Sequence, residues 1–518
     1  MSSRWLAEAA SRRQFLIRSG AWGALLLPSC LQAVQTRPRF SSNPFSLGVA
    51  SGDPLPDGFL LWTRLAPEPL QGGGMENQPV TVEWVVADDD GMRRVVKRGR
   101  AVALPEFAHS IHVDVRGLRP DRWYFYQFKA GTEYSVVGRA RTAPEPKSMP
   151  TRLRFAFASC QHYEHGYFTA YRHMMEEDLD LVVHLGDYIY EGAGRASLPR
   201  RHTGQETYSL SDYRNRYALY RSDKDLAKAH QMFSWIVTWD DHEVDNNYAN
   251  DQSEDGTSRE QFLERRANAY QAYWEHMPLR RSSMPQGSRL HLYRALGYGR
   301  LAQFAVLDTR QYRTDQPCGD GTKPLCPEVY DPQATLLGPQ QYEWLTSILS
   351  SSSARWNIIA QQVMMAFVDR APGPSVAASM DQWSGYDVER RRLMRFLGER
   401  RPSNPVVITG DIHSNWVCDL KEDYSRTGSP VVATEFVGTS ITSGGDGADI
   451  PSAVAKYLPE NPQVKFFNGQ RGYVSCTVTP ERWQADYRVL DYVRQPGSPV
   501  STRASFVLEN GRPGALPA

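Results

Sequence analysis

The stretch "VVHLGDYIYE", Val182 to Glu191, decides the fold class. An apolar run, which predicts a buried strand, stops at Gly186, and Asp187 follows at once with Tyr190 three residues later. In open α/β sheets, ligand sites lie outside the carboxyl ends of the strands. A carboxylate and a phenol at such an end therefore predict an α/β domain that uses this strand end for chemistry.

Three further apolar runs end in side chains that can bind a metal ion or move a proton. "RLRFAFASC" ends at Cys160, "FSWIVTWDDHE" at Asp241 and His242, and "PVVITGDIH" at Asp411 and His413. One aspartate after a strand is as often a helix N-cap, and one cysteine there is usually core. Four such ends in one domain favour a shared metal site in a single crevice.

The chain changes character near Pro150, which divides it into regions. Before it, short strands alternate with turn residues and predict an all-β sandwich of the fibronectin type III or Ig type. After it, strands alternate with helices and predict an α/β layered domain. The predicted division is a signal at 1–35, the sandwich at 42–143, the catalytic domain at 151–500 and a C-terminal tail at 501–518.

Length and charge exclude some classes of protein. The 518 residues are too many for one core, so at least two domains are expected. The formal net charge of +1 lacks the basic excess of a general nucleic-acid binder. No nucleic-acid binding is expected beyond a possible substrate.

The N-terminus predicts export. "SRRQFL" carries Arg12 and Arg13, and an apolar run from Ala21 to Leu31 follows. This run is too short to span a bilayer, and the pattern resembles a twin-arginine signal. We expect the twin-arginine translocase as a partner and a periplasmic or secreted protein. Cys30, in "LPSC", is a candidate for a lipid anchor on the exported protein.

The chain has six cysteines. Cys318 and Cys326 flank a short loop, and in an oxidising compartment a disulfide between them is preferred over a metal clip. Cys418 and Cys476 lie in strand-like segments, as buried residues or as a second pair.

The donor types predict two metal ions. Asp187 is the natural bridging carboxylate, since it begins a turn directly after a glycine. A phenolate, a thiolate and an imidazole, from Tyr190, Cys160 and His413, favour iron as Fe³⁺. Hard carboxylate oxygens suit Ca²⁺, Mg²⁺ or Mn²⁺. Two such ions can activate a hydroxide for in-line attack at phosphorus.

The motifs "GDYIYE", "TWDDHEVDNN", "GDIH" and "EFVGTSITSGGDG" resemble those of the PhoD family of alkaline phosphatases. The resemblance covers nearly the whole chain and implies a four-layer metallophosphoesterase sandwich. It also implies iron bound by four residues, namely Cys160, Asp187, Tyr190 and His413. Calcium, or another divalent ion, would be bound by Asp241 and Asp411.

The same resemblance assigns further roles. His242 would assist the leaving group, with hydrogen bonding to the metal shell as the alternative. Asn246 and Asn247 could each contact metal or phosphate. Arg310 could pair with phosphate or with a structural carboxylate such as Asp308.

The predicted function is an exported phosphoric ester hydrolase that acts on phosphomonoesters or phosphodiesters. The substrate would be a small phosphate ester or a phospholipid or teichoic-type phosphodiester. Rival hypotheses are a phospholipase D on the same scaffold and a non-catalytic cell-surface binding protein. A strand-end histidine of the related purple acid phosphatases is missing, and Gln362 stands near its place as a weak candidate ligand.

Overall fold

The computed structural model describes residues 38–426 and 428–518. The predicted signal at 1–35, with Arg12, Arg13 and Cys30, lies outside the described residues. Within the described ranges, none of the helices combines the length and the apolar character needed to cross a bilayer.

The strands fall into two groups along the chain. The first group precedes residue 142 and comprises β1 (Val49–Leu55), β2 (Gly58–Arg64), β3 (Val80–Ala87), β4 (Val95–Ala103), β5 (Ser110–Val115), β6 (Trp123–Ala130), β7 (Glu133–Tyr134) and β8 (Gly138–Arg141). The second group comprises β9 (Leu153–Ala158), β10 (Leu181–Leu185), β11 (Ser234–Thr238), β12 (Arg294–Tyr298), β13 (Ala302–Val306), β14 (Thr322–Pro324), β15 (Trp356–Ala360), β16 (Ala377–Ser379), β17 (Pro405–Thr409), β18 (Asn415–Lys421), β19 (Val431–Val437), β20 (Gly447–Ala448), β21 (Val464–Gln470), β22 (Gly472–Val478), β23 (Arg482–Leu490), β24 (Val500–Glu509) and β25 (Leu516–Pro517).

The described α-helices all follow the first group of strands. They are α1 (Thr169–Glu176), α2 (Leu210–Arg221), α3 (Lys224–Met232), α4 (Arg259–His276), α5 (Gly338–Ser351), α6 (Asp387–Arg400) and α7 (Ser452–Tyr457).

Two large sheets organise the molecule. One has ten strands in the order β25-β24-β23-β22-β9-β10-β11-β1-β2-β5, and the other has eight in the order β12-β13-β15-β17-β19-β18-β21-β20. β9, β10 and β11 are parallel neighbours, as are β13, β15, β17 and β19. The expected mixed α/β fold is confirmed at this level.

β10 shows why the strand next to the site is continuously apolar. Val182 belongs to an apolar cluster formed with residues of α1 to α4, whereas Leu181, Val183 and Leu185 belong to a cluster shared with the eight-stranded sheet. Successive side chains of a strand point to opposite faces. Both faces of β10 are therefore buried, as is usual for parallel strands covered on two sides.

The N-terminal region is an all-β sandwich, but one of its two sheets continues into the next region. β3, β4, β6, β7 and β8 form one sheet, which packs on β1, β2 and β5 around residues such as Phe59, Val82 and Tyr126. β1 also pairs in parallel with β11, where Ser51 lies opposite Ser234. The sandwich therefore shares a sheet with the region that follows. The predicted domain boundary at 143 did not anticipate this shared sheet.

The segment 501–518 differs from the predicted tail. β24 pairs with β23 along its length, and Phe506 and Leu508 are buried in the cluster between the large sheets. The alternation of apolar and polar residues in this segment is that of a half-buried strand.

The described residues include one disulfide and three free cysteines. Cys318 and Cys326 form a disulfide, as expected. Cys418 and Cys476 are buried and free, on β18 and β22, so they do not form a second pair.

Candidate metal centre

The four strand ends meet at one place. The ligand atoms of Cys160, Asp187 and His413 all lie within 4.8 Å of one another, and so do those of Asp187, Asp241 and His242. Asp187 belongs to both groups. Because β9, β10 and β11 are adjacent and parallel, their carboxyl ends share an edge, and β17 brings the fourth end from the facing sheet.

The close approach of the two sheets depends on a glycine. A Cβ atom on Gly410, which directly follows β17, would lie 2.5 Å from the hydroxyl oxygen of Ser159. Ser159 precedes Cys160 and pairs with Ser440 in an isolated parallel bridge. Glycine at 410 thus lets the end of β17 reach the end of β9.

Several candidate ligands have a left-handed backbone. The φ angles of Cys160, Asp187, Asp411 and His413 are +58°, +55°, +61° and +53°. This region costs about 1–2 kcal/mol for a residue with a Cβ atom. Residues held in such conformations cluster at functional sites, where the rest of the fold offsets the strain.

Tyr190 links the two sides of the centre. Its hydroxyl donates to Asp187 Oδ2 at 2.7 Å, lies 3.2 Å from His413 Nε2, and accepts from Ser443 Oγ at 2.7 Å. Burial, reinforced by the charges of Asp187 and Cys160, raises the pKa of the phenol well above its ordinary value.

The pKa values of two neighbouring groups are also shifted by burial. Burial, and next the charge of Asp187, raises the pKa of the Cys160 thiol well above 9.0. Burial, and next Arg471, lowers the pKa of His413 to about 3, which keeps its imidazole neutral. A neutral imidazole is the form that binds metal ions.

The carboxylates of the centre fit a bound cation. Asp187 Oδ1, Asp240 Oδ2 and Asp241 Oδ1 are buried and have no hydrogen-bond partner among the described residues. Burial raises the pKa of Asp187 well above its ordinary value and that of Asp411 to about 6. Buried oxygens without partners are costly unless a counter-charge is supplied, and hard cations prefer such oxygens.

Glu243 positions two of the strand ends, a role that the sequence prediction missed. Its carboxylate accepts from the backbone amides of Asp187 at 3.1 Å, Tyr188 at 2.6 Å and Asp240 at 2.8 Å. Burial raises its pKa to about 7. The motif "DDHE" contains Glu243. The spacing of residues in the sequence, however, does not indicate that its carboxylate accepts from backbone amides on another loop.

His242 lies at the more open side of the centre. Its Nδ1 is 2.8 Å from a carboxylate oxygen of Glu191, and its ring centre is 4.1 Å from that of Tyr190. Burial lowers the pKa of His242, but the charges of Glu191, Asp241 and Asp187 outweigh it and raise the pKa well above 6.5. These carboxylates favour the protonated imidazole, and Glu191 fixes the orientation of its ring.

The two asparagines lie beside Asp241. The backbone amide of Asn247 donates to Asp241 Oδ2 at 2.7 Å, and its side-chain amide donates to Asp320 Oδ2 at 2.7 Å. The side-chain amide of Asn246 donates to Glu254. Both side-chain amides therefore donate to carboxylates beside the candidate metal centre.

Arg310 is not placed where a substrate could reach it. Its fully buried guanidinium donates to Asp240 Oδ1 at 2.5 Å and to both carboxylate oxygens of Asp381, at 2.7 and 2.9 Å. From Arg310, Asp308 accepts only the backbone amide, and its carboxylate also accepts from Gln311. Of the two alternatives that the sequence left open, phosphate and a structural carboxylate, the structure shows a carboxylate pairing, with Asp240 and Asp381 in place of Asp308.

Two further residues complete the wall near Asp411. Burial opposes ionisation of Asp381, but Arg310 and Arg313 outweigh it and lower the pKa of Asp381 below 3.8. The side-chain amide of Gln382 donates to Asp411. Neither residue ends a strand, which is why the strand-end pattern could not indicate them.

Gln362 is not a ligand in this structure. Its amide nitrogen donates to Thr238 Oγ1, Trp239 O and Leu307 O at 2.7–2.9 Å, and its oxygen accepts from Thr309 Oγ1 at 2.7 Å. These bonds use all of its polar atoms.

A thiol, a phenol, imidazoles and carboxylates gathered at the strand ends of two facing sheets define a metal-dependent hydrolase. The comparisons narrow this class: residues 155–487 match the model of the PhoD-like phosphatase family, and residues 30–144 match the model of the PhoD-like phosphatase N-terminal domain. The chain belongs to the PhoD-like phosphatase family. The expected resemblance and the prediction of a phosphoric ester hydrolase are confirmed.

Two relatives show how far the likeness extends. The chain is 51% identical over 514 residues to alkaline phosphatase D of Bacillus subtilis (strain 168), covering 97% of this chain and 88% of that protein. It also matches a solved structure described as that of PhoD, with 53% identity, a TM-score of 0.91 and coverage of 93% of both chains.

Proposed function

We propose that this phosphoesterase hydrolyses phosphomonoesters and phosphodiesters at a pair of metal ions, as the relative's name, alkaline phosphatase D, suggests. The observation that carries the proposal is the position of Asp187, whose carboxylate is common to the two groups of candidate ligands. A carboxylate shared in this way can bridge two cations.

The two ligand groups differ in donor chemistry. Cys160, Tyr190 and His413, with Asp187, would hold Fe³⁺, while Asp241 and Asp411 would hold Ca²⁺ or another divalent ion. When bound, such ions make water a stronger nucleophile and neutralise charge on a phosphoryl group. The orphaned oxygens of Asp187, Asp240 and Asp241 support this assignment.

The side chains of the protein do the remaining work. Glu243 fixes the loops that carry Asp187 and Asp240, and Arg310 partly offsets the charge of the carboxylates around it. His242, held by Glu191, donates a proton to the departing alcohol oxygen. Asn246 and Asn247 line the approach beside Asp241 as candidate contacts to substrate.

We further propose the finer fold and location. The apolar clusters between the sheets and on their outer, helix-covered faces support a four-layer helix–sheet–sheet–helix sandwich. The disulfide between Cys318 and Cys326 supports export to an oxidising compartment, through the twin-arginine translocase, to the periplasm or medium.

Metal analysis of one purified sample, with a panel of phosphate esters, tests the proposal. We expect iron and calcium in the protein, a visible absorption band from iron bound to Tyr190, and hydrolysis of 4-nitrophenyl phosphate that calcium chelation abolishes. Absence of iron would reject the proposed iron site. Release of choline from phosphatidylcholine faster than any monoester turnover would favour a phospholipase D.

The role of His242 has its own test. His242→Gln should slow the hydrolysis of phenyl phosphate more than that of 2,4-dinitrophenyl phosphate, because the better leaving group needs no proton. Equal losses with both esters would place His242 among the residues that only support the metal shell.

A further inference from the structure

A second cavity lies away from the metal centre. Its volume is about 530 Å³, and it lies between the segment that precedes β12, the loop after β13 and the first turn of α5. This volume lies within the range of small-molecule sites. Its walls include Arg266, Arg289, Tyr293 and Tyr312.

Arg266 is the unusual residue of this cavity. Arg266 is 4% exposed, yet among the described residues no carboxylate forms an ion pair with its guanidinium group. One nitrogen, Nη1, donates to the backbone oxygen and side chain of Asn250, and Nε has no partner in the described part of the chain. A buried cation without a counter-charge is costly unless an anion binds beside it.

One buried acid, Asp308, lies near the cavity, where burial and next its charge raise the pKa of Tyr312. Its carboxylate accepts from the backbone amides of Arg310 and Gln311 and from the side chain of Gln311, at 3.0–3.1 Å. These donors are neutral, so Asp308 keeps its negative charge and offsets part of the positive charge of Arg266 and Arg289.

The remaining walls are aromatic. The ring of Tyr293 lies 5.8 Å from that of Tyr312, at 74°, and 4.9 Å from that of Trp344. A ligand that combines a planar ring with an acid group would use both the rings and the guanidinium groups.

We propose that this cavity binds a small aromatic carboxylate, with its acid group between Arg266 and Arg289 and its ring against Tyr293 and Tyr312. The site is separate from the metal centre and does not depend on the proposed phosphatase mechanism.

Calorimetric titration of the metal-loaded protein with benzoate tests the proposal. Benzoate at the same concentrations should leave the turnover of 4-nitrophenyl phosphate unchanged, because it binds away from the metal centre. Benzoate should bind more tightly than acetate, which lacks the ring, and more tightly than benzyl alcohol, which lacks the charge. Equal binding of all three would contradict the proposal.

Variants then locate the binding. Arg289→Gln and Arg266→Met should each weaken benzoate binding about tenfold, the usual loss for a charged hydrogen bond. Arg281→Gln, an exposed neighbour outside the cavity, is the matched control and should bind as the parent does. Because Arg266 is buried, the result for Arg266→Met counts only if this variant keeps the melting temperature and phosphatase activity of the parent. Arg289 is exposed, so the result for Arg289→Gln counts in any case. Benzoate binding that is absent, or that Arg289→Gln leaves unchanged, overturns the proposal.

Discussion

At the scale of single residues, Tyr190 joins an aspartate, a histidine and a serine through one hydroxyl group. If Tyr190 binds iron as proposed, Tyr190→Phe should abolish the expected visible absorption band and lower the activity about 100-fold or more. Absorbance and iron content measure the first effect. Tyr188→Phe, whose buried hydroxyl contacts His230 instead, is the control and should keep both.

Glu243 acts on the same centre without touching the candidate metal positions. Glu243→Gln loses a charged acceptor for three backbone amides, so the loops carrying Asp187 and Asp240 should loosen. We expect metal affinity to fall about 10- to 100-fold, measured by competition with a chelator. Glu264→Gln, an exposed position on α4, should bind metal normally.

A buried acid away from the centre should control stability against pH. Glu435 accepts from the amides of Met365 and Ala366 and from Thr409, and burial raises its pKa from 4.5 to about 7. Between these pH values the unfolded chain releases the proton while the folded protein retains it. The stability contribution of Glu435 is therefore complete below pH 4.5 and is lost as the pH rises to 7, by up to roughly 3 kcal/mol.

Glu435→Gln should flatten this part of the profile, whatever its absolute stability. Melting temperatures at several pH values between 4.5 and 7 measure the slope. Glu422→Gln is the control, since Glu422 is half-exposed and its variant should keep the slope of the parent. An unchanged slope for Glu435→Gln would contradict the assignment.

At the scale of elements, the turn after β10 sets the distance between two strand ends. Gly186 has a φ of +107°, and a Cβ atom there would lie 2.5 Å from Cβ of Asp240. Gly186→Ala should push the ends of β10 and β11 apart and lower metal content and activity at least about tenfold. Gly192→Ala is the matched control, because no atom lies within 4 Å of its Cβ position.

The elements also show what a sequence can and cannot predict. The runs before Cys160, Asp187 and Asp411 were recognisable as strands, because continuous apolar residues are required on strands buried on both faces. β1, "VASGDPL", was not, because its glycine, aspartate and proline are poor strand formers and its pairing with β2 and β11 supports it.

The same contrast holds for the candidate site. Residues at strand ends could be predicted, since topology alone brings them together. Glu243, Asp381 and Gln382 could not, because their roles depend on which loop faces them. For Arg310 the sequence left phosphate and carboxylate open, and only the position of Asp381 decides between them.

At the scale of the whole molecule, the last strands are part of the core. Removal of residues 500–518 would expose the inner face of β23 and lose the buried Phe506 and Leu508. Each such side chain contributes about 1.5–3 kcal/mol when buried. We expect this truncated chain to aggregate, as light scattering and soluble yield would show. A chain lacking only residues 516–518, with Leu516 exposed, should remain soluble and active.

The parallel pairing of β1 with β11 joins the N-terminal sandwich to the region that follows it. This contact does not depend on the peptide segment that connects the two regions. Lys147 is exposed in the connecting stretch, whereas Arg294 holds Asp53 across the seam with bonds of 2.7–3.1 Å. A protease that nicks the chain at Lys147 should therefore produce two fragments that still travel as one particle in gel filtration. The N-terminal sandwich therefore behaves like a tightly bound subunit. Its removal would expose β11, a strand of the sheet that carries the candidate metal centre.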